Sequence, residues 1–269
     1  MGHLKQKFAD ARNAIATDSK SYMLSFWLYF LAIALAELLT IYLNLWIGLV
    51  CYGIILVTFI IQPVFVEESK KSDLLLGLSL IPIIRIISLA LPLIQLPQIY
   101  WFPLIYIPLL ASTIVLMKSL KIKPGQVGFT KRGLPLQISL GIITGLAFGI
   151  LEYLILKPEP MIASLTLEQL WLPAVILITT TGFVEELIFR GVLQRLAEAA
   201  MGLWGIIYVS LIFAILHVGF FSTLDVFFVF FIALFFAAIV KKTGSLIGVI
   251  LSHGVANSIL FLVAPFVLN

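Results

Sequence analysis

Charge is scarce in this chain. Only 11% of its 269 residues are Asp, Glu, Lys or Arg, and 62% are hydrophobic. A soluble domain is about a quarter charged and about half apolar. With a mean hydropathy of +1.16, the chain holds more apolar surface than a water-soluble fold of this length can hide, so a bilayer must solvate it. Cysteine is nearly absent. Cys51 stands alone in an apolar run, which excludes a disulfide framework and leaves a small buried hydrophobe. No internal repeat and no low-complexity tract is present. The segment Met1–Lys20 is too long and too acidic for a signal-peptide n-region, and no small-residue cleavage site follows it. The first apolar stretch is therefore expected to stay as a membrane helix, and His3, in the polar segment before it, reads as solvated and without a role.

A helix needs about 20 apolar residues to cross a bilayer, and the polar or turn-rich points cut this chain into nine such stretches. They are Tyr22–Leu43, Leu45–Val66, Leu74–Leu96, Trp101–Leu120, Leu136–Leu156, Trp171 to about Arg195, Leu203–Phe221, Leu224–Val240 and Leu246–Leu268. The expected fold is an all-α, polytopic transmembrane bundle of about nine spans, with eight as the alternative count. In the fifth span Gly141, Gly145 and Gly149 fall at four-residue spacing, a stripe that lets another helix approach closely.

Basic residues orient the bundle. With the N-terminus in the cytosol, the inner segments hold Lys5, Lys7, Arg12, Lys20, Lys70, Lys71, Lys118, Lys121, Lys123, Lys131, Arg132, Arg190, Arg195, Lys241 and Lys242. The outer segments hold only Lys157. A missing or extra helix would scramble the later loops, so this positive-inside bias argues for the count and the orientation together.

Ionisable residues inside a span are expensive and each needs a reason. The sixth span reads TGFVEELIFRGVLQR. Glu186 and Arg190 are i,i+4 neighbours in the order that favours an ion pair, while Glu185 points to another face of the helix and stays available. The seventh span carries Phe213 and His217 four residues apart, and the ninth carries His253 and Asn257 at the same spacing. At 1.5 Å per residue, Glu185, His217, His253 and Asn257 lie about 15, 21, 11 and 17 Å from the inner ends of their spans. Three helices can thus bring a carboxylate, two imidazoles and an amide to one level. Such a set suits amide hydrolysis: a carboxylate and an imidazole hold and deprotonate water, and a second imidazole and an amide donate to the oxyanion. Phe213 reads as packing. Phe65-Val66-Glu67-Glu68 repeats the FVEE string but runs into Ser69-Lys70-Lys71 with no matching Arg, so it reads as a solvated helix end. Glu37, Arg85 and Glu152 are also intramembrane and read as structural or snorkelling, with Glu37 and Arg85 able to pair between the first and third spans.

The ordered motifs Glu185-Glu186-x-x-x-Arg190, Phe213-x-x-x-His217 and His253-x-x-x-Asn257 resemble the signature of the CPBP family, which groups CAAX prenyl endopeptidases with bacteriocin-processing (Abi-type) proteins. The resemblance covers roughly residues 171–268 and extends less fully to Val127-Gly128-Phe129. It implies an intramembrane endopeptidase in which Glu185 and His217 activate water, His253 and Asn257 bind the oxyanion, and Glu186 and Arg190 support the site. The basic, Gly- and Pro-rich segment Lys121–Pro135 marks the clearest internal boundary, and the expected division is a cytosolic segment 1–20, accessory transmembrane helices 21–120, a basic cytosolic loop 121–135 and a catalytic transmembrane core 136–269. The implied partners are membrane lipid and a peptide or prenylated protein substrate, with no nucleic acid. The implied location is a prokaryotic plasma membrane, with the site toward the cytosolic half.

No cofactor is required on this reading. The alternative is one zinc ion held by Glu185, His217 and His253, a three-ligand catalytic set with Glu186 as base, although no HExxH is present. Two other functions compete. A transporter would fit intramembrane charge and broken helices, but the polar residues concentrate in three helices. A non-catalytic bacteriocin-immunity protein would keep its activity without Glu185. The orientation is directly testable: a cysteine added after Asn269 should react with a membrane-impermeant thiol reagent in intact cells. Labelling only after lysis would invert the bundle or change the span count by one.

Overall fold

The computed structural model describes the backbone of residues 2–91 and 96–268, and side chains from residue 22 onward within those ranges. His3, Lys5, Lys7, Arg12, Lys20 and Asn269 have side chains outside the described residues, as do residues 92–95, where the third expected span ends. Everything regular among the described residues is helical. Eight helices are long and apolar enough to cross a membrane: α1 (Tyr22–Tyr42), α2 (Leu45–Phe65), α3 (Ser69–Ala90), α4 (Gln98–Ser119), α5 (Leu134–Leu156), α6 (Leu167–Met201), α8 (Thr223–Thr243) and α9 (Ile247–Val267). Between α6 and α8 lies the shorter apolar α7 (Trp204–Phe220). The nine stretches read from sequence are therefore all helices, eight of full length and one short.

Their ends differ from expectation for identifiable reasons. α1 continues a helix that begins at Gly2. α3 starts five residues before the expected Leu74, because Lys71 is buried through a 2.6 Å ion pair with Glu68 and sits 3.5 Å over the Tyr22 ring. It breaks at Ser79, whose hydroxyl bonds the Leu76 carbonyl at 2.6 Å, three residues before Pro82, which has no N–H to give the helix. α6 runs well past Arg195. Gln194, which looks like a polar terminus, is buried with its amide on the Ala237 carbonyl at 3.1 Å, and the helix stops only at Gly202, where φ is +62°.

Lipid-facing surfaces are apolar. Leu24, Leu28, Leu31 and Leu35 form one exposed stripe along α1. Within the bundle, α9 is the central element, packed along α5 and against α6. The glycines explain the closeness. A Cβ on Gly141, Gly145 or Gly149 would lie 2.6, 2.7 or 2.5 Å from the backbone oxygens of Gly248, Ser252 and Ala256 in α9. On the other flank of α9, a Cβ on Gly254 would meet the Ile178 backbone of α6 at 2.7 Å. The loop before α5 is docked as well: the Gly128 carbonyl accepts from Leu246 N–H at 3.0 Å, and the Phe129 ring lies 5.9 Å from that of Phe183.

Overpacking a tight contact typically costs about 1–3 kcal/mol. Gly145→Ala should accordingly lower the melting temperature in detergent and reduce any activity that depends on α9, whereas Ile143→Ala on the exposed face should leave melting nearly unchanged. Equal melting curves for the two would remove the stripe from its packing role.

Candidate active site

Most of residues 178–193 of α6, the segments Ile178–Glu185 and Leu187–Leu193 on either side of Glu186, are wound in wide i→i+5 turns in place of the regular α-helical repeat, a form that recurs at functional positions in helices. Glu185 and Glu186 lie in this stretch and are both buried. They have different partners. Glu186 Oε1 accepts from Arg190 Nη1 at 3.0 Å and from His253 Nδ1 at 2.8 Å. Because one oxygen serves both donors, the Arg190 pair is single-pronged, and Glu186 Oε2 and Arg190 Nη2 have no partner. The guanidinium is instead enclosed by rings, with Phe213 at 4.3 Å, Phe236 at 5.6 Å and Phe189 at 5.9 Å from its carbon, so cation–π attraction supplements the ion pair.

Glu185 faces elsewhere. Its Oε1 accepts from the Tyr106 hydroxyl of α4, and its Oε2 lies 3.9 Å from His253 Nε2. His217 ends α7, and its Nδ1 lies 2.8 Å from the Phe213 carbonyl. A carbonyl can only accept, so Nδ1 carries the proton and a neutral ring leaves Nε2 as a lone pair. This accounts for the four-residue Phe–His spacing: Phe213 gives its carbonyl to the imidazole and its ring to Arg190. Asn257 Nδ2 donates to Thr181 Oγ1 at 2.9 Å, which uses one of its two amide hydrogens.

Glu185, His217, His253 and Asn257 line a single cavity of about 220 Å³. All four sequence-predicted residues are thus brought to one space, and the supporting pair Glu186–Arg190 forms as expected beneath it. Other wall residues have no counterpart in the motifs. Tyr106 and Arg85 come from α4 and α3, Thr181 from α6 and Glu152 from α5. In sequence, Tyr106 is an aromatic in an apolar run and carries no signal. Arg85 and Glu152 are flagged by being charged inside a span, but nothing in the sequence assigns them to this space.

Two residues of the cavity wall, Gln98 and Phe220, are exposed. They lie at the starts and ends of α4 and α7 that are remote from the basic loops. Those loops meet at the other end, where Lys241 pairs with Glu198 and Arg195 reaches the Gln126 carbonyl.

A zinc ion would need three of these donors to converge. Among the described residues, no three His, Cys, Asp or Glu side chains gather closely enough to hold a metal ion. Glu186, fully enclosed with Arg190, does not face the cavity.

Residues 167–259, from the start of α6 into α9, match the family described as type II CAAX prenyl endopeptidase Rce1-like. This segment carries all three motifs and is similar to this protease family, as the motifs suggested, and the eight long apolar helices make the chain a multi-pass membrane protein. No curated protein and no solved structure gives a significant match to the chain.

Removing one partner of a buried charge pair typically costs 3–5 kcal/mol, because the other is left uncompensated. Arg190→Ala strands Glu186, so it should lower the melting temperature in detergent. Glu185→Gln keeps an oxygen for Tyr106 and should melt as the parent does. Coincident curves for all three proteins would remove Arg190 from this structural role.

Proposed function

We propose that the protein is an intramembrane endopeptidase that hydrolyses a peptide bond of a membrane-associated or lipidated substrate through water activated by Glu185 and His217. The observation that carries this reading is the convergence of Glu185, His217, His253 and Asn257 on one cavity within the bilayer. Glu185 takes a proton from water while His217 Nε2 accepts the water's other hydrogen bond and aims it. Hydroxide adds to the scissile carbonyl carbon. The oxyanion accepts from the free hydrogen of Asn257 Nδ2 and from His253 Nε2–H. The second donor requires a doubly protonated His253, and two carboxylates flank that ring. The C–N bond then breaks, and Glu185 returns its proton to the departing amine. Tyr106 holds one oxygen of Glu185 so that the other serves as base. No metal is invoked, because the donors do not gather as a ligand set.

The concentration of basic residues at one end favours that end as cytosolic. The cavity rim is at the opposite end, so on this geometry substrate enters from the half of the bilayer away from the basic loops. The placement expected from sequence is the cytosolic half, and the two readings differ in which face substrate approaches. Labelling of a cysteine after Asn269, which follows α9 at the rim end, tests both statements.

Purified protein should cleave a farnesylated CAAX peptide or its unmodified counterpart, and which of them it cleaves defines the lipid requirement. Glu185→Gln should lower the rate by about 10²–10⁴-fold through loss of the base. Asn257→Ala should lower it by about 10²–10³-fold through loss of one oxyanion donor. Only the Asn257 variant should retain the acid limb of the pH–rate profile. Activity should survive dialysis against a strong chelator. Stoichiometric zinc, lost with activity and restored with it, would overturn the metal-free assignment. Solute transport in liposomes abolished by Glu185→Gln would favour a transporter instead.

A further inference from the structure

The wall of the cavity contains one permanent cation, Arg85 of α3, which no motif includes and which lies outside the family segment. Its partner is Glu37 of α1. Arg85 Nη2 donates to Glu37 Oε2 at 2.6 Å, and Nε faces Glu37 Oε1. Tyr52 of α2 donates to the same carboxylate. The arrangement is one-sided. Glu37 is fully enclosed, while the Arg85 side chain keeps 16% of its surface open. Nε lies within ion-pair reach of Glu37 but makes no hydrogen bond, and Nη1 has only a 3.4 Å contact with the Ser88 hydroxyl. Ser88 and Gln98 complete this polar end of the cavity, and Gln98 is exposed at the rim.

An ion pair that only joined helices would gain most from being sealed on both sides, and apolar residues often replace such a pair at no cost. Here the acid is sealed and the guanidinium edge is presented to the cavity that holds Glu185, His217, His253 and Asn257. A guanidinium held by one carboxylate along one edge keeps a second edge for another planar anion. Glu37 and Tyr52 fix that edge in place, so little side-chain entropy is lost when the anion arrives.

Building on the peptidase reading, we infer that Arg85 is a substrate-binding residue that accepts a carboxylate of the peptide near the cavity rim and so sets where along the chain cleavage falls. The carboxylate is either the free C-terminus or an acidic side chain.

Three farnesylated peptides of one sequence separate these sources: a C-terminal acid, its C-terminal amide, and the amide with Asp as last residue. Binding to Glu185→Gln protein, whose turnover is slowed enough for binding to be measured, should favour the acid over the amide by about tenfold or more, as for a hydrogen bond to a charged group. If the Asp amide binds like the acid, any carboxylate suffices; if it binds like the plain amide, the C-terminus is required. In turnover by the parent protein the same preference should appear in KM. Arg85→Gln alone strands Glu37 and risks misfolding, so the paired variant Glu37→Gln, Arg85→Gln is the decisive one. Its preference ratio should fall to near one. Cleavage by the parent without any carboxylate preference, or a preference that persists in the paired variant, would overturn the assignment while leaving the peptidase reading intact. Preferential binding without cleavage of any peptide would uphold the anion site and refute the peptidase reading.

Discussion

Glu186 is the group on which the rest of the site depends. Its carboxylate is enclosed within the bilayer, where an unpaired charge is costly, and one oxygen accepts from both Arg190 and His253. The contact joins α6 to α9 and fixes the ring of His253 so that its second nitrogen points into the cavity. Arg190 is enclosed by the Phe213 ring, and the Phe213 carbonyl sets the tautomer of His217. One carboxylate therefore reaches both histidines, one directly and the other through a guanidinium and an aromatic residue. The neighbouring Glu185 is left free of structural duty apart from its bond to Tyr106.

That separation of duties between adjacent residues depends on backbone geometry. The wide turns of α6 change the direction in which successive side chains leave the helix, and they bring the Ile178 backbone against Gly254 and Gly182 against the Ile250 carbonyl of α9. Any side chain at these glycines would push the two helices apart and lengthen the bond between Glu186 and His253. The glycine stripe of α5 holds α9 from its other side. The catalytic candidates are thus positioned by close backbone contacts more than by hydrophobic pressure, which is weak between helices already surrounded by lipid.

The elements that could be read from sequence are those with a strong local signature. Nine apolar stretches became nine helices, the acid–base spacing of Glu186 and Arg190 became an ion pair, and the glycine stripe became a contact. Two kinds of feature were not legible. Helix ends were misjudged where a polar residue was buried by a distant partner, as Gln194 is by Ala237, because that partner is more than forty residues away in sequence. Cavity walls were missed where the residue type is ordinary for a membrane span. Tyr106 looks like any aromatic in an apolar helix, and only folding shows its hydroxyl on Glu185. The charges of Glu37 and Arg85 make their pairing readable from sequence, and the pair forms, but no local pattern carries the fact that one face of Arg85 borders the site.

The two intramembrane ion pairs show how burial can separate support from binding. Arg190 and Glu186 have almost no surface on either side, 2% and none for the side chains, and aromatic rings occupy the space in which another ligand would sit. Arg85 and Glu37 share the same chemistry, but the acid alone is enclosed, and the base borders a cavity with polar neighbours at its rim. A guanidinium in low dielectric attracts any anion that can reach it, so the difference between the pairs lies in access and not in charge. If α3 supplied only a strut, its charge would serve as well behind a ring as Arg190 does. Its exposure to the cavity brings the first helices of the chain, which lie outside the family segment, to the wall shared with Glu185, His217, His253 and Asn257.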